Sequence, residues 1–280
     1  MQVIRSPIAL RSWVKRVKKR GETVGFVPTM GALHEGHLSL VRAARRECDK
    51  VVVSIFVNPL QFGPKEDFNR YPKPFSDDKI LLQKEKADLL FFPSVRTMVP
   101  DVFLTDVTVG CLTDYLCGPF RPGHFEGVAT VCAKLFNLVV PDAVYFGQKD
   151  YQQTRVVAQM LKDLDFPIRM KVVPTVREKN GLAMSSRNRY LKGSERESAL
   201  LLYRALSEGK AAIQKGERNP SRVLSRMKAV LGGPKVKVQY LSVADPSTLA
   251  PLSRIKGSVL LAGAAYVGKT RLIDNLLVRI

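Results

Sequence analysis

Short apolar runs alternate with stretches of helical periodicity along residues 23–176. The runs resemble strands buried on both faces of a parallel sheet, and they lie at Thr23–Val27, Lys50–Val57, Asp88–Pro93, Asp142–Phe146 and Ile168–Val176. Apolar residues spaced three or four apart between the runs predict helices at His37–Glu47, Ser76–Lys86, Phe125–Val139 and Gln152–Leu164. Strands that alternate with helices predict an α/β fold with a parallel sheet and right-handed crossovers.

The pattern changes after Arg177. Two helical stretches are followed by two strand-like runs, at Ser194–Lys215, Pro220–Leu231, Val236–Val243 and Ser258–Ala265. Consecutive helices followed by strands are typical of a small α+β domain. We therefore predict a Rossmann-like, doubly wound domain at residues 1–177 and a smaller C-terminal α+β domain at residues 178–280, with a hinge at Arg177–Asn188.

The net charge of +20 over 280 residues raises the question of nucleic-acid binding. The basic residues are dispersed, and the densest run, Lys15–Arg20, reads as the solvated face of a first helix. This distribution argues against a nucleic-acid partner, whereas a positive field still attracts small anions such as ATP.

Two absences in the sequence favour a cytoplasmic location. No apolar run approaches the roughly 20 residues needed to cross a bilayer, and Met1–Leu10 lacks the pattern of a signal peptide. The four cysteines contain no C-x-x-C pair, so we expect buried thiols in a reducing compartment rather than disulfides or a zinc site.

The strongest chemical signal is the pair His34 and His37, with Gly36 between them. The pair follows the apolar run Val24–Met30 and precedes the amphipathic stretch Leu38–Ala44, which predicts strand, turn and helix. Two imidazoles three residues apart share one face of the first helical turn, where backbone N–H groups attract phosphate. The segment predicts a nucleotide site; the alternative is a pair of surface histidines that cap a helix.

Two further segments offer groups to a phosphate. In Gly147–Gln153, Lys149 is a candidate cation, Asp150 a helix cap or ribose contact, and Gln153 an amide that faces a substrate. In Met184–Asn188, Arg187 is placed to fork onto phosphate oxygens. The alternatives are a capped helix with a surface lysine and a serine-rich linker.

Three other segments carry polar side chains next to predicted elements. Asn58 and Gln61 offer amides to hydroxyls or a carboxylate, and Arg121, near His124, offers a charge to an anion. Asp77 and Asp78 are candidate ligands of Mg²⁺, although two acids at this point also favour the start of a helix.

Residues Gly263–Thr270 match the P-loop expression G-x-x-x-x-G-K-[ST]. A P-loop must lead into a helix packed on a parallel sheet, and the preceding segment does not read as such a sheet. We therefore interpret the match as accidental, a glycine turn that joins two strands of the small domain.

Taken together, the segments resemble the pantothenate synthetase (pantoate–β-alanine ligase) family of the His-x-Gly-His nucleotidylyltransferases. The resemblance rests on segments in the family's order over nearly the whole chain: Phe26–Gly31, His34–His37, Val53–Pro59, Arg121–Phe125, Gly147–Gln153, Gly181–Asn188 and Arg271–Asn275. It implies ligation of (R)-pantoate and β-alanine through a pantoyl adenylate, with ATP as substrate and Mg²⁺ beside it. It also implies a homodimer and a small domain that acts as a lid.

The resemblance assigns roles to individual residues. Residues expected at ATP are Met30, Gly31, Ala32, Leu33, His34, Glu35, Gly36, His37, Gly147, Gln148, Lys149, Asp150, Val176, Met184, Ser185, Ser186 and Arg187. Within this set, His34, His37, Lys149 and Arg187 are the expected catalytic residues. Gln61 and Gln153 are expected at pantoate, with Asn58 and Arg121 as further substrate-binding candidates.

Two positions depart from the family's pattern, and two rival functions remain. Gln148 and Asn180 stand where the family often has Glu and Asp, which removes negative charge near the phosphate site. One rival is a different nucleotidylyltransferase, which shares the His34–His37 signature and makes a product that retains the nucleotide. The other is an RNA-binding protein derived from a synthetase-like fold.

Overall fold

The computed structural model describes residues 1–64, 66–232 and 236–280, which cluster into two compact units. Unit 1 comprises Met1–Val109, Arg121–Gly147 and Gln153–Pro174, and unit 2 comprises Gly110–Phe120, Gln148–Gln152 and Thr175–Ile280. Two short segments that the sequence division assigned to the first domain, and the boundary residues 175–177, therefore group with unit 2. The division into functional domains at residue 177 stays a prediction.

Unit 1 is built on a parallel sheet with helices between the strands. Its strands are β1 (Gln2–Ile4), β2 (Val24–Thr29), β3 (Lys50–Ile55), β4 (Leu89–Phe91), β5 (Ala143–Gly147) and β6 (Arg169–Val173). Its helices are α1 (Pro7–Lys19), α2 (Glu35–Glu47), α3 (Phe75–Lys84), α4 (Val95–Met98), α5 (His124–Val139) and α6 (Tyr151–Asp163), the last of which begins in residues grouped with unit 2.

The strand order β1-β4-β3-β2-β5-β6 contains a reversal at β2. The chain runs from β2 outward to β3 and β4, then returns to place β5 on the other side of β2, with every pair parallel. Ligands of doubly wound sheets bind beyond the carboxyl ends of the strands at such a reversal. The predicted fold is confirmed, while β1, only three residues long, was not anticipated.

The core of unit 1 fixes α2 against this sheet. Val41 and Ala44 of α2 belong to one buried cluster with Val27 of β2 and Tyr145 of β5. Tyr145 is fully buried and is among the largest enclosed side chains of the described residues. Because the apolar face of α2 lies on β2 and β5, the N-terminus of the helix is set at the reversal of the strand order.

Unit 2 contains an antiparallel sheet covered by two helices. Its elements are α7 (Ser194–Gln214), α8 (Pro220–Val230), β7 (Val236–Ala244), β8 (Val259–Val267) and β9 (Thr270–Val278), with strand order β7-β8-β9. Val267 pairs with Thr270, so Gly268 and Lys269 form a two-residue hairpin turn in which Gly268 has φ +55°. The predicted glycine turn is confirmed, and the P-loop expression forms no phosphate loop.

Two further findings concern the helices and the cysteines. Within the described ranges, no helix has the length and apolar character of a membrane span. All four cysteines are free thiols; Cys48, Cys117 and Cys132 are buried, but Cys111 is exposed, contrary to the expectation of buried thiols.

Two leucines near the end of α6 differ in burial and allow the contribution of the core to stability to be measured. Leu161 is 5% exposed and Leu164 is 54% exposed. We expect Leu161→Ala to lower the free energy of unfolding by about 2–5 kcal/mol through lost burial and a cavity. Leu164→Ala should change it by about 0.5 kcal/mol or less. Urea unfolding monitored by circular dichroism measures both, and equal losses would contradict this packing.

Candidate functional site

The turn after β2 is held by one buried carboxylate. Asp78 is 1% exposed, and its Oδ2 and Oδ1 atoms accept hydrogen bonds from the backbone N–H groups of Ala32 (2.8 Å) and Leu33 (2.7 Å). Gly31 has φ +82°, and a Cβ there would lie 2.9 Å from Cγ2 of Ile55. The turn therefore requires glycine, and Asp78 fixes the backbone that leads to His34.

The contacts of Asp78 bear on the predicted magnesium site. Its two oxygens face backbone N–H groups, whereas Asp77 next to it is exposed. Among the residues described, no group of three or more His, Cys, Asp or Glu is arranged to hold a metal ion. Mg²⁺ prefers several oxygen ligands in octahedral geometry, and these two side chains do not form such a set. The metal role of Asp77 and Asp78 stays a prediction, and the geometry gives Asp78 a structural role.

The two histidines lie together at the start of α2, as predicted. His34 is the N-cap residue, and its Nδ1 atom accepts a hydrogen bond from the backbone N–H of Gly36 (3.1 Å). In the neutral ring the proton is then on Nε2. The His34 and His37 ring centroids are 4.1 Å apart with 38° between the ring planes. Two imidazoles thus lie at the N-terminal end of a helix, where the partial positive charge of the helix dipole favours an anion.

Glu35, between the histidines, has its own partner on α2. Its carboxylate forms an ion pair with Arg42, which also bonds Glu85 at 2.7 and 2.9 Å. The hydrogen bond from Arg42 holds the pKa of Glu35 below its usual range. The Glu35 side chain therefore presents no free negative charge against the phosphate predicted here, and its contact with ATP stays a prediction.

The two predicted amide side chains after β3, those of Asn58 and Gln61, make hydrogen bonds within the protein. Asn58 is 2% exposed; its Nδ2 donates to the Gly127 carbonyl (2.9 Å) and to Oε1 of Gln61 (3.1 Å). Its Oδ1 accepts from the Leu60 N–H (3.1 Å). Gln61 Nε2 lies 3.1 Å from Sδ of Met30. Asn58 thus orients Gln61, and a direct substrate contact of Asn58 stays a prediction.

Arg121 helps to fix the backbone at Gln61 through its contact with His124. Its guanidinium bonds Glu66 (2.6 and 2.7 Å) and donates to Nε2 of His124 (2.9 Å). Because arginine only donates, His124 carries its proton on Nδ1 and donates to the Gln61 carbonyl (2.8 Å). Arg121 is only 11% exposed. These contacts hold Gln61, and the predicted role of Arg121 toward a substrate anion stays a prediction.

Gln153, the second predicted pantoate amide, lies in the first turn of α6 and is half-buried. It belongs to unit 1, as do His34, His37 and Gln61. Gly147 ends β5 in the same unit, next to the reversal of the strand order.

The predicted phosphate lysine belongs to unit 2. Gln148–Asp150 forms a 3₁₀ turn, and Lys149 Nζ lies 3.7 Å from Oδ1 of Asp150. Nδ2 of Asn275 donates to the carbonyls of Gln148 (3.0 Å) and Lys149 (2.8 Å). The backbone of the turn is therefore fixed by a side chain from β9.

A short hairpin brings Val176 and Met184 together in unit 2. The Met184 N–H donates to the Val176 carbonyl (3.0 Å). At the tip, Oδ1 of Asn180 accepts from the Leu182 N–H (3.1 Å). Asparagine thus keeps an acceptor where the family often has aspartate, so this departure leaves the turn intact.

The second cationic segment follows this hairpin directly. Ser185 caps a 3₁₀ turn at Ser186–Tyr190, and its Oγ accepts from the Arg187 N–H (3.3 Å). Asn188 Nδ2 donates to the Ala183 carbonyl (3.1 Å). Ser185, Ser186 and Arg187 are thereby presented in sequence at the start of one tight turn.

The sequence did not predict that three buried polar side chains bind the backbone of distant segments. They are Asp78 in α3, Asn275 in β9 and Gln152, whose amide makes three hydrogen bonds to the backbone of residues 112–117. The available signal was a polar pair, Asp274-Asn275, flanked on both sides by apolar residues. The sequence does not indicate which distant backbone groups such side chains meet.

Comparisons with known proteins agree over nearly the whole chain. The profile of the pantoate-beta-alanine ligase family matches residues 2–277. A pantothenate synthetase from Caldicellulosiruptor saccharolyticus is 53% identical over 272 residues, which cover 97% of each chain. Another, from Sulfurihydrogenibium, is 52% identical over 278 residues and 99% of each chain.

Solved structures show the same likeness. A pantothenate synthetase from Thermus thermophilus superimposes with a TM-score of 0.94 at 48% identity, over 99% of both chains. A pantoate-beta-alanine ligase from Francisella tularensis, complexed with beta-gamma ATP and beta-alanine, gives a TM-score of 0.83 at 34% identity. That match covers 99% of this chain and 97% of the Francisella chain.

Asp78 and Asp77 form a matched pair for the structural role of a carboxylate. In Asp78→Asn only one oxygen remains, so one buried N–H of the Ala32–Leu33 turn loses its acceptor. We expect a loss of about 1–3 kcal/mol in the free energy of unfolding, measured without nucleotide or metal. Asp77→Asn, at an exposed position, should stay within about 0.5 kcal/mol. Equal stability of the two variants would show that Asp78 does not hold the turn.

Glu66 provides a prediction with a defined pH dependence. Burial raises the pKa of Glu66, but the hydrogen bond and charge of Arg121 outweigh it, so the pKa lies below its usual range. The pair therefore stabilises the fold fully above the unfolded pKa of about 4.3, and this stabilisation is lost as the pH falls through the lower folded pKa.

We expect Glu66→Gln to lower the free energy of unfolding by about 1–3 kcal/mol at pH 7. The difference from the wild type should shrink as the pH falls below about 4. Glu126→Gln, at an exposed position of α5, is the control. Urea unfolding across the acid range measures this, and a difference that grows toward acid pH would contradict the ion pair.

Proposed function

Because this chain belongs to the pantoate–β-alanine ligase family, we propose that it joins (R)-pantoate to β-alanine at the expense of ATP, releasing AMP and pyrophosphate. The observation that carries the proposal is the pair of imidazoles, His34 and His37, 4.1 Å apart at the N-terminus of α2. That helix end lies where the strand order of the parallel sheet reverses, the place where such sheets bind nucleotides.

The reaction proceeds in two displacements. An oxygen of the pantoate carboxylate attacks the α-phosphorus of ATP, and the bond to the β-phosphate bridging oxygen breaks, so pyrophosphate leaves and pantoyl adenylate forms. The β-alanine amine then attacks the acyl carbon, loses a proton, and AMP leaves. Neither displacement needs a protein nucleophile. Catalysis therefore rests on positioning and on stabilising the charge that develops on phosphate oxygens.

Roles follow for the residues of unit 1. His34 and His37 bind phosphate oxygens, and His37 donates a proton to the leaving pyrophosphate, since imidazole titrates near neutral pH. Gln61 and Gln153 hold the hydroxyls and carboxylate of pantoate. The support for Gln61 is that Met30, Asn58 and His124 already fix its two ends.

Roles also follow for the residues of unit 2. Lys149 and Arg187 neutralise charge on the α-phosphate and on pyrophosphate. Ser185 and Ser186 donate hydrogen bonds to phosphate oxygens. Asp150 and the Val176 backbone hold the nucleoside.

Magnesium, location and assembly are further parts of the proposal. Mg²⁺ would supply charge compensation to the phosphates of ATP when bound, although Asp77 and Asp78 do not by themselves form a set of metal ligands. A cytoplasmic homodimer is proposed from the family resemblance.

The reaction is tested by exchange of labelled pyrophosphate into ATP, in the presence of Mg²⁺ and the absence of β-alanine. We expect exchange that depends on pantoate, because the adenylate forms reversibly, and release of AMP once β-alanine is added. Folded protein that binds ATP but shows no exchange with pantoate would reject the ligase and favour another nucleotidylyltransferase.

The same assay tests the catalytic assignments. We expect His37→Ala and Lys149→Ala to slow exchange by about 10²–10³-fold, the cost of removing one preorganised donor from developing charge. Lys162→Ala, at an exposed position of α6, is the control and should retain the wild-type rate. Wild-type turnover in either folded site variant would remove that residue from the catalytic set.

A further inference from the structure

Two adjacent polar residues stand between apolar residues in the middle of strand β9. Asp274 is 5% exposed and Asn275 is 3% exposed. Buried polar groups cost free energy unless their hydrogen bonds are satisfied, so such a pair requires partners. The Asp274 carboxylate finds partners in the hairpin that precedes Arg187, and Nδ2 of Asn275 finds them in the turn that carries Lys149. Oδ1 of Asn275 is buried and has no hydrogen-bond partner among the described residues.

Asn275 binds the backbone of the Lys149 turn. Its Nδ2 donates to two successive carbonyls, those of Gln148 (3.0 Å) and Lys149 (2.8 Å). Only a side chain with two N–H donors on one atom can serve both acceptors in this way. The position of the Lys149 backbone is thus set by one amide group of β9.

Asp274 binds the base of the hairpin that precedes Arg187. Its Oδ2 and Oδ1 accept from the Arg177 guanidinium at 2.6 and 2.9 Å, and Oδ1 also accepts from the Asn275 N–H (2.7 Å). Arg177 in turn donates to the Gly181 carbonyl (3.1 Å) and lies 4.1 Å from the centroid of the Tyr203 ring. The hairpin from Val176 to Met184 is thereby anchored to β9.

We propose that Asp274 and Asn275 are positioning residues, which together set the spacing between Lys149 and the Ser185–Arg187 turn. The inference rests on the proposed function, because it concerns the cations assigned to ATP there. Neither residue contacts a reacting atom; each acts through the backbone that carries a cation. Adjacent residues of one strand hold both segments, so one rigid element fixes their separation.

A double-mutant cycle with Lys149 tests this. We expect Asn275→Ala to lower the kcat of pantoate-dependent pyrophosphate exchange by about 10–10²-fold, the size of effect that misplacement by about 1 Å produces, with an unchanged KM for pantoate. In a Lys149→Ala background, Asn275→Ala should lower kcat by less than about twofold, because the effects of two residues that act through one another are not additive.

Asn219→Ala is the matched control. Asn219 also lies in unit 2, and its side chain also makes two backbone hydrogen bonds, as the N-cap of α8. It should lower the thermal midpoint and leave kcat unchanged in both backgrounds. Asn275→Ser keeps one donor, so its kcat should lie between those of the wild type and Asn275→Ala. This variant replaces Asn275→Ala in the cycle if the alanine variant does not fold.

Three results would overturn or separate the claims. An equal loss from Asn275→Ala in both backgrounds, or no loss in either, rejects the positioning role. Wild-type protein without pantoate-dependent exchange rejects the proposed function instead. In that case the same cycle, measured as ATP affinity by calorimetry, decides the inference: a coupled loss supports it and additive losses reject it.

Discussion

The hydrogen bonds from the Ala32–Leu33 turn to the Asp78 carboxylate are the constraint on which the geometry of unit 1 depends. A carboxylate with 1% exposure is costly to bury. Two backbone N–H groups, and the N-terminal end of its own helix α3, offset that cost. In return the chain makes a tight turn, with positive φ at Gly31 and Ala32, directly before the N-cap of α2. The direction in which His34 and His37 point follows from that turn.

Many polar residues of the candidate site bind protein backbone. Asn58 holds Leu60 and Gly127, His124 holds the Gln61 carbonyl, and Asn275 holds the Lys149 turn. This division of labour suits a reaction that needs no protein nucleophile. Its rate depends on the positions of a few hydrogen-bond donors, and the surrounding side chains fix those positions.

The sequence predicts those features that depend on local pattern. Period and strand-like runs located the parallel sheet, α2 and α5, and the strand–turn–helix context located the paired histidines. Strand β1 was not predicted because three residues are too few to show a periodic pattern. The segments 110–120 and 148–152 group with unit 2 through contacts of long sequence span, such as those of Asn275 with the Lys149 carbonyl and of Cys117 with Tyr240. A local pattern does not report partners of that kind, which is also why the sequence suggested a helix start, or less readily a metal ligand, as the role of Asp78.

The bond between Asn275 and the Lys149 carbonyl joins residues 126 positions apart in the sequence. Closing a loop of that length carries an entropy cost before the contact can form. At translation rates of about 5–20 residues per second, the ribosome needs roughly 6–25 s to make the chain between them. The lysine is therefore synthesised well before the strand that fixes it. A nascent chain thus carries its lysine for several seconds before the strand that holds the lysine turn exists.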